Sequence, residues 1–175
     1  MSSSILIRPY QHEDHAAVRD LFIRVNRELA PAALRDRFEA YIELALWEEI
    51  DRIRDYYDPA RGHGFWVAVE GGALVGNYGL EAAGEGRFEI RRMYVDPAHR
   101  RRGIGALLLA HAEATCRHGG ASKVILSTSE LQAAAIALYK SAGYRLVREV
   151  VATGATNKTV GGGIRRFEFD KSLTS

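Results

Sequence analysis

The spacing of apolar residues along this chain switches between the strand and helix periods often enough to divide it into elements. Ile5 to Arg8 reads as a short strand closed by Pro9. Val18, Leu21, Phe22, Val25 and Leu29 then recur at i, i+3 and i+4, which predicts an amphipathic helix with Asp14 as its N-cap. A second helical rhythm starts at Pro31 and runs through Leu34, Phe38, Ile42, Ala45, Ile50, Ile53 and Tyr57 to the "DP" at Asp58 and Pro59, with room for a break inside it. "GFWVAVE", the turn at Gly71 and Gly72, "ALVGNYGLEA" and "AGEGRFEIRRMYV" read as a three-strand antiparallel meander.

After Val95 the order changes. Asp96 and Pro97 stop the strand, a basic glycine-containing loop follows, and Ile104 to Cys116 form a helix ended by Gly119 and Gly120. "SKVILST" is the next strand, so a strand–helix–strand crossover pairs two strands in parallel. A helix over Leu131 to Ser141 with Gly143 as its C-cap, then the strands "YRLVREVV" and "GIRRFEFD" around a loop containing Gly161 to Gly163, complete the chain. The predicted class is α+β with one mixed sheet, in a single domain over residues 1–175.

Composition narrows the function classes. With 175 residues, 47% hydrophobic and 26% charged, the chain has the makeup of a globular protein, and a net charge of +2 lacks the excess of a dedicated nucleic-acid binder. A single cysteine, Cys116, excludes an internal disulfide and fits a reducing compartment, so a cytoplasmic location is expected. No apolar run approaches the ~20 residues of a membrane span. The histidines show no metal-ligand spacing; surface or capping roles are expected, with His63 a candidate for an acceptor site. No metal is expected.

The loop "HRRRGIGALLL", His99 to Leu109, carries the strongest candidate chemistry. Unpaired N–H groups and the dipole at a helix N-terminus attract anions, and Gly103 and Gly105 let the backbone approach one. Six arginines against two acids, Glu89 and Asp96, lie between Arg87 and Arg102, which predicts a positive field at that end of the sheet. The glycines alone also fit a plain surface turn. There is no G-x-x-x-x-G-K-[ST], and a dinucleotide fingerprint requires glycine where Leu108 stands.

"RRRGIGA" resembles the R/Q-x-x-G-x-G/A signature of the GNAT superfamily of N-acetyltransferases, with Arg100, Gly103 and Gly105 in the defining places. "EIRRMYVDP" before it and "AAAIALYKSAGYRLV" after it resemble the family's adjoining blocks, so the resemblance spans roughly Phe65 to Val150. It implies a GNAT-like acyl-CoA N-acyltransferase fold: a mixed, mostly antiparallel sheet with a splayed parallel strand pair and flanking helices. It further implies that acetyl-CoA is the acyl donor. Its pyrophosphate would lie on backbone N–H groups of Arg101, Arg102, Gly103, Ile104, Gly105 and Ala106, with Arg100 beside them. Its pantetheine would run along Met93, Tyr94 and Val95, with Ser127 on the facing strand and Gln132 where the family usually has asparagine.

The same resemblance implies roles in the chemistry. Glu89 is the candidate general base, with an ion pair to Arg91 or Arg102 as its alternative; Tyr139 is the candidate acid toward the coenzyme sulfur, with a core aromatic as its alternative; the Val95 N–H is the oxyanion donor. Cys116 lies roughly 16 Å along its helix from Gly105, so direct transfer in a ternary complex is expected rather than an acetyl-cysteine. A primary amine of a small molecule or amino-acid-like compound is the expected acceptor, bound among the N-terminal helices, the segment from Tyr56 to Gly64 and "TNKTVGGG". Eight acids against four bases between Arg35 and Asp58 suit a cationic amine, whereas Lys158 suits a carboxylate. A non-catalytic acyl-CoA-binding module, a protein or peptide acceptor, and a homodimer are the remaining alternatives; neither nucleic acid nor membrane is expected as a partner.

Overall fold

The computed structural model describes residues 4–174; the other four residues of the single-domain reading over 1–175 lie outside it. Within the described residues seven strands form one sheet: β1 (Leu6–Pro9), β2 (Gly64–Glu70), β3 (Ala73–Ala82), β4 (Arg87–Val95), β5 (Lys123–Ser129), β6 (Arg145–Ala152) and β7 (Ile164–Ser172). Their spatial order is β1-β2-β3-β4-β5-β7-β6, and β4 with β5 is the parallel pair in an otherwise antiparallel sheet. Pro9 is paired with Trp66 inside β1 instead of closing it, as an edge strand allows.

Among the described residues five α-helices flank the sheet: α1 (His15–Leu29), α2 (Arg35–Glu48), α3 (Ile53–Tyr56), α4 (Ile104–His118) and α5 (Ala133–Ser141). Ile104, Leu108, Leu109 and Ala112 of α4 pack with Val75, Tyr78, Ile90, Val124 and Leu126 on one face. Phe22, Tyr41, Ile42 and Ala45 from α1 and α2 form a core on the opposite side, joined by Tyr94. Among the described residues no helix is long and apolar enough to cross a membrane.

Several predicted termini move for identifiable reasons. A 3₁₀ turn over His12–Asp14 precedes α1, and Asp14 makes no side-chain cap. Its carboxylate instead accepts two hydrogen bonds from Arg8, at 2.8 and 2.9 Å, and one from the Gln11 N–H. The long second helix breaks at Glu49 (φ −137°, ψ −62°) and resumes after a 3₁₀ turn over Ile50–Arg52. The C-cap of α5 is Ala142, with Gly143 following at φ +89°.

The feature that positions the site is a β-bulge in β4. Gly79 pairs with Arg91 and Asn77 with Tyr94, so three steps along β4 face two along β3. Arg92 takes up the extra residue at φ +52°, the left-handed region. Strict alternation would put Arg91 and Arg92 on opposite faces; the bulge turns both toward Glu49. Met93 and Val95 then fall on the α4 side and Tyr94 on the α1–α2 side. The parallel ladder with β5 stops just before the bulge, at Ile90 and Leu126, although β4 continues to Val95 and β5 to Ser129. Beyond that point the two strands separate.

Candidate active site

The loop leading into α4 offers main chain. Gly103 is the N-cap residue at φ +77°, which a side chain would strain. The backbone N–H groups from Arg101 to Ala106 donate to no backbone or side-chain acceptor among the described residues, whereas that of Leu107 bonds the Gly103 carbonyl. Gly105 faces α5: a Cβ there would lie 3.2 Å from Leu138 Cδ2 and 3.9 Å from Val95 Cγ2. A turn of unbonded amides with no Cβ between them suits a diphosphate.

The predicted arginine field is largely neutralised. Arg100 is bidentate to Glu28 at 2.8–2.9 Å, and Arg102 to Glu70 at 2.7–2.9 Å. Arg91 and Arg92 point into the interior, and Arg87 approaches Glu85 at 3.7 Å. Of the six, Arg101 makes no ion pair among the described residues and stays exposed. The anion-binding character of this turn therefore rests on the backbone.

Beside the strand separation lies a cleft lined by Glu89, Met93, Tyr94, Ser127, Gln132 and Tyr139, together with Lys158 and Arg166. The structure thus brings most of the residues singled out in the sequence to one place; Val95 and Arg100–Ala106 do not line the cleft and sit at its α4 end. Asn26, Phe38 and Tyr41 form the helix wall, and Lys158, Val160 and Gly161 the loop wall. The segment from Tyr56 to Gly64 contributes no lining residue, and His63 instead contacts the Tyr56 carbonyl at 3.2 Å.

Glu89 accepts a 2.9 Å hydrogen bond from Lys158 Nζ, which also lies 3.7 Å from Glu81. Neither Arg91 nor Arg102, the partners expected from the sequence, takes that place. Tyr139 is buried, and its hydroxyl makes no hydrogen bond with any described residue. Burial pushes the phenol well above its ordinary value, so it stays protonated at neutral pH. Gln132 uses Oε1 to accept from Thr128 Oγ1 at 2.8 Å and from the Ser129 N–H at 3.4 Å, leaving its amide NH₂ for another partner.

Behind the cleft is a charged cluster that the sequence did not disclose. Glu49, fully buried, accepts from Arg92 Nε at 2.9 Å, Arg92 Nη2 at 2.6 Å and Arg91 Nη2 at 3.2 Å, and also from the Tyr57 hydroxyl. Burial alone would raise its pKa; the Arg92 and Arg91 guanidiniums outweigh that and hold it below the usual carboxylate range. Arg91 also pairs with Glu81, and Arg92 donates to the Asn157 carbonyl, which pins the β6–β7 loop against β4. Of the acids between Arg35 and Asp58 none lines the cleft; Glu39 pairs with Arg27 and Asp51 with Arg19. The expectation that this acidic stretch receives a cationic amine is thereby withdrawn.

One further expectation changes, and the exclusion of Cys116 as a nucleophile gains support. His111, placed at the surface from the sequence, is half-buried and lies 2.7 Å from the Tyr78 hydroxyl. Cys116 is buried, and its thiol is pushed up to about 12 by burial, which leaves it a poor nucleophile.

Comparison with known proteins follows the same lines. The family described as Acetyltransferase (GNAT) family matches residues 16–144. Human N-acetyltransferase 8 is 34% identical over 110 residues, 60% of this chain and 48% of that protein. Human N-acetylaspartate synthetase is 36% identical over 126 residues, 67% of this chain and 42% of that protein. The chain thus spans about half the length of the curated relatives it matches. A GNAT-family acetyltransferase from Staphylococcus aureus Mu50 superposes with a TM-score of 0.75 at 20% identity, covering 98% of this chain and 100% of that one. A Salmonella typhimurium protein solved with its cofactor acetyl-CoA superposes at 0.73 and 21% identity, covering 98% and 95%.

Proposed function

This chain belongs to the GNAT acetyltransferase family, and from that premise we propose that it transfers the acetyl group of acetyl-CoA to a primary amine of a small molecule. The observation that carries the reading is the separation of β4 from β5 after Ile90 and Leu126, directly beside a helix N-terminus whose amides are unbonded. The name N-acetylaspartate synthetase among the relatives contains a small N-acetylated product, which supports a small acceptor here.

Acetyl-CoA, when bound, supplies a thioester carbonyl open to attack by a neutral amine. The amides from Arg101 to Ala106 hold the pyrophosphate, with Arg101 as the free cation nearby. The β4 edge from Met93 to Val95, Ser127 and the Gln132 NH₂ hold the pantetheine in the manner of an added strand. Glu89 removes the amine's proton, the Val95 N–H donates to the carbonyl oxygen, and the protonated Tyr139 donates to the sulfur as it leaves. An ammonium arriving at Glu89 takes the place that Lys158 Nζ holds in this structure. With Cys116 buried and weakly acidic, the acetyl group passes directly from donor to acceptor.

Purified protein incubated with acetyl-CoA and a panel of amines, with free thiol followed, tests the proposal. Thiol release that depends on the amine is expected, and Glu89→Gln and Tyr139→Phe should each lower kcat about 100-fold while keeping acetyl-CoA affinity. Tight acetyl-CoA binding with thiol release only at the uncatalysed rate across the panel would instead identify a binding module.

A further inference from the structure

The charges around the cleft do not cancel. Four cations lie there, Arg91, Arg92, Lys158 and Arg166, and they meet three carboxylates, Glu49, Glu81 and Glu89. Arg91 and Arg92 share Glu49, Arg91 also reaches Glu81, and Lys158 is bound to Glu89 and Glu81. Arg166 is left over. It makes no ion pair among the described residues, and its one hydrogen bond runs from Nη2 to Ser127 Oγ at 3.0 Å. Four of its five N–H donors have no protein acceptor, in a half-buried position where an unmatched charge is costly.

Its location is set by the sheet. Arg166 pairs with Ser129 in β7–β5 register, and Ser127, two residues along β5, shares its face. Glu89 pairs with Ile125 on the neighbouring strand, again on that face. A carboxylate base and an unpaired guanidinium therefore look into one cleft from adjacent parts of the sheet. Tyr41 and the other helix-wall residues line the cleft without supplying an acid to Arg166. Burial lowers the guanidinium's pKa, which marks the same unmet desolvation. Lys158, the cation that the sequence suggested for a carboxylate, stands between Glu89 and Glu81, whereas Arg166 has no carboxylate partner among the described residues.

We propose that the acceptor is an α-amino acid, with its amino group at Glu89 and its carboxylate on the Arg166 fork beside Ser127. This rests on the acetyltransferase reading above. A planar guanidinium with paired free donors matches a carboxylate bidentately, and such charge-assisted bonds are the strong ones. The bound carboxylate supplies the negative charge that the cleft lacks.

The experiment compares the twenty amino acids with their C-terminal amides and with the corresponding decarboxylated amines, at matched concentrations of neutral amine. Acetyl transfer is measured as kcat/KM, and binding of the same compounds without acetyl-CoA as the shift in thermal midpoint. For at least one side chain the free acid should exceed both analogues by about 10- to 100-fold in kcat/KM, and it should stabilise the protein where its amide does not. Arg166→Gln should collapse that preference toward one and raise the thermal midpoint of the ligand-free protein slightly, since a half-buried charge without a carboxylate partner is removed. Arg166→Lys, which keeps the charge and loses the fork, should retain part of the preference, so the test survives if the glutamine variant fails to fold.

No advantage of any acid over its amide in the wild type would overturn the proposal. So would an Arg166→Gln variant that keeps the preference, or one whose acetyl-CoA affinity by calorimetry falls by tenfold or more, since Arg166 would then serve the coenzyme. Failure of the acetyltransferase reading looks different: no amine of any kind would be acetylated, while the midpoint shifts would still report on the carboxylate.

Discussion

The turn before α4 and the cleft beside β4 flank the same pair of separating strands, yet they are made of opposite materials. At the turn the working groups are backbone amides. The nearby arginines are turned outward onto Glu28 and Glu70, and two glycines keep side chains out of the way. In and behind the cleft the working groups come from distant parts of the chain: the carboxylate of Glu49 from the break after α2, the guanidiniums of Arg91 and Arg92 from the bulge, and the backbone carbonyl of Asn157 from the β6–β7 loop. A backbone site needs only a local conformation, whereas a side-chain site holds its geometry through the surrounding fold. Substitutions should therefore separate the two regions by whether they cost stability or affinity.

Glu49→Gln should have the largest effect and should fall on stability. It removes the carboxylate shared by two buried guanidiniums and leaves only Glu81 beside Arg91, so a loss of about 3–5 kcal/mol is expected in urea unfolding. The effect has a pH signature. The Glu49 pKa is lower in the folded state than its unfolded value of about 4.3, so its contribution is complete above that value and is lost as pH falls through the folded one. The gap between wild type and Glu49→Gln should narrow on acidification; a gap independent of pH would mean that the cluster is held by packing and not by charge.

Gly105→Asp should do the converse. An acid in the first turn of α4 is compatible with the helix dipole, and its Cβ comes closest to the end of Leu138, at 3.2 Å, with Val95 at 3.9 Å, so the melting temperature should change little. Acetyl-CoA affinity measured by calorimetry should nonetheless fall at least 100-fold, about 2.7 kcal/mol, because a carboxylate would stand among the amides proposed for the pyrophosphate. Retained affinity would move the anion site elsewhere.

The same division explains what the sequence disclosed. The meander, the crossover, the α4 boundaries and the glycine turn are local patterns, and the structure reproduces them closely. The splay was implied by resemblance alone, and its visible correlate is the bulge at Arg92, one residue out of step in a strand whose alternation otherwise looks regular. Glu49 had a legible sign: it stands four residues from both Ala45 and Ile53, on the apolar stripe of a helix where a charge is out of place. Arg166 shares strand parity with the buried Ile164, a similar sign. Neither position could be paired from sequence, because the partners are 42 and 39 residues away and only the sheet brings them together.

Arg102→Ala should have the smallest effect, and it tests the comparison most sharply. Arg102 stands inside the motif, and a reading based on local charge makes it a principal phosphate ligand. In the structure both ends of its guanidinium are held by Glu70, on an exposed surface where such pairs contribute little. Removing it should lower acetyl-CoA affinity by no more than about fivefold, whereas Arg101→Ala, which removes the cation without a carboxylate partner, should cost more. The difference between the two should shrink as salt is raised from 50 to 500 mM, because it is carried by screened charge. If Arg102→Ala instead weakened binding as much as Gly105→Asp, the guanidinium would have to leave Glu70 for the ligand, and the turn would be a side-chain site like the cleft.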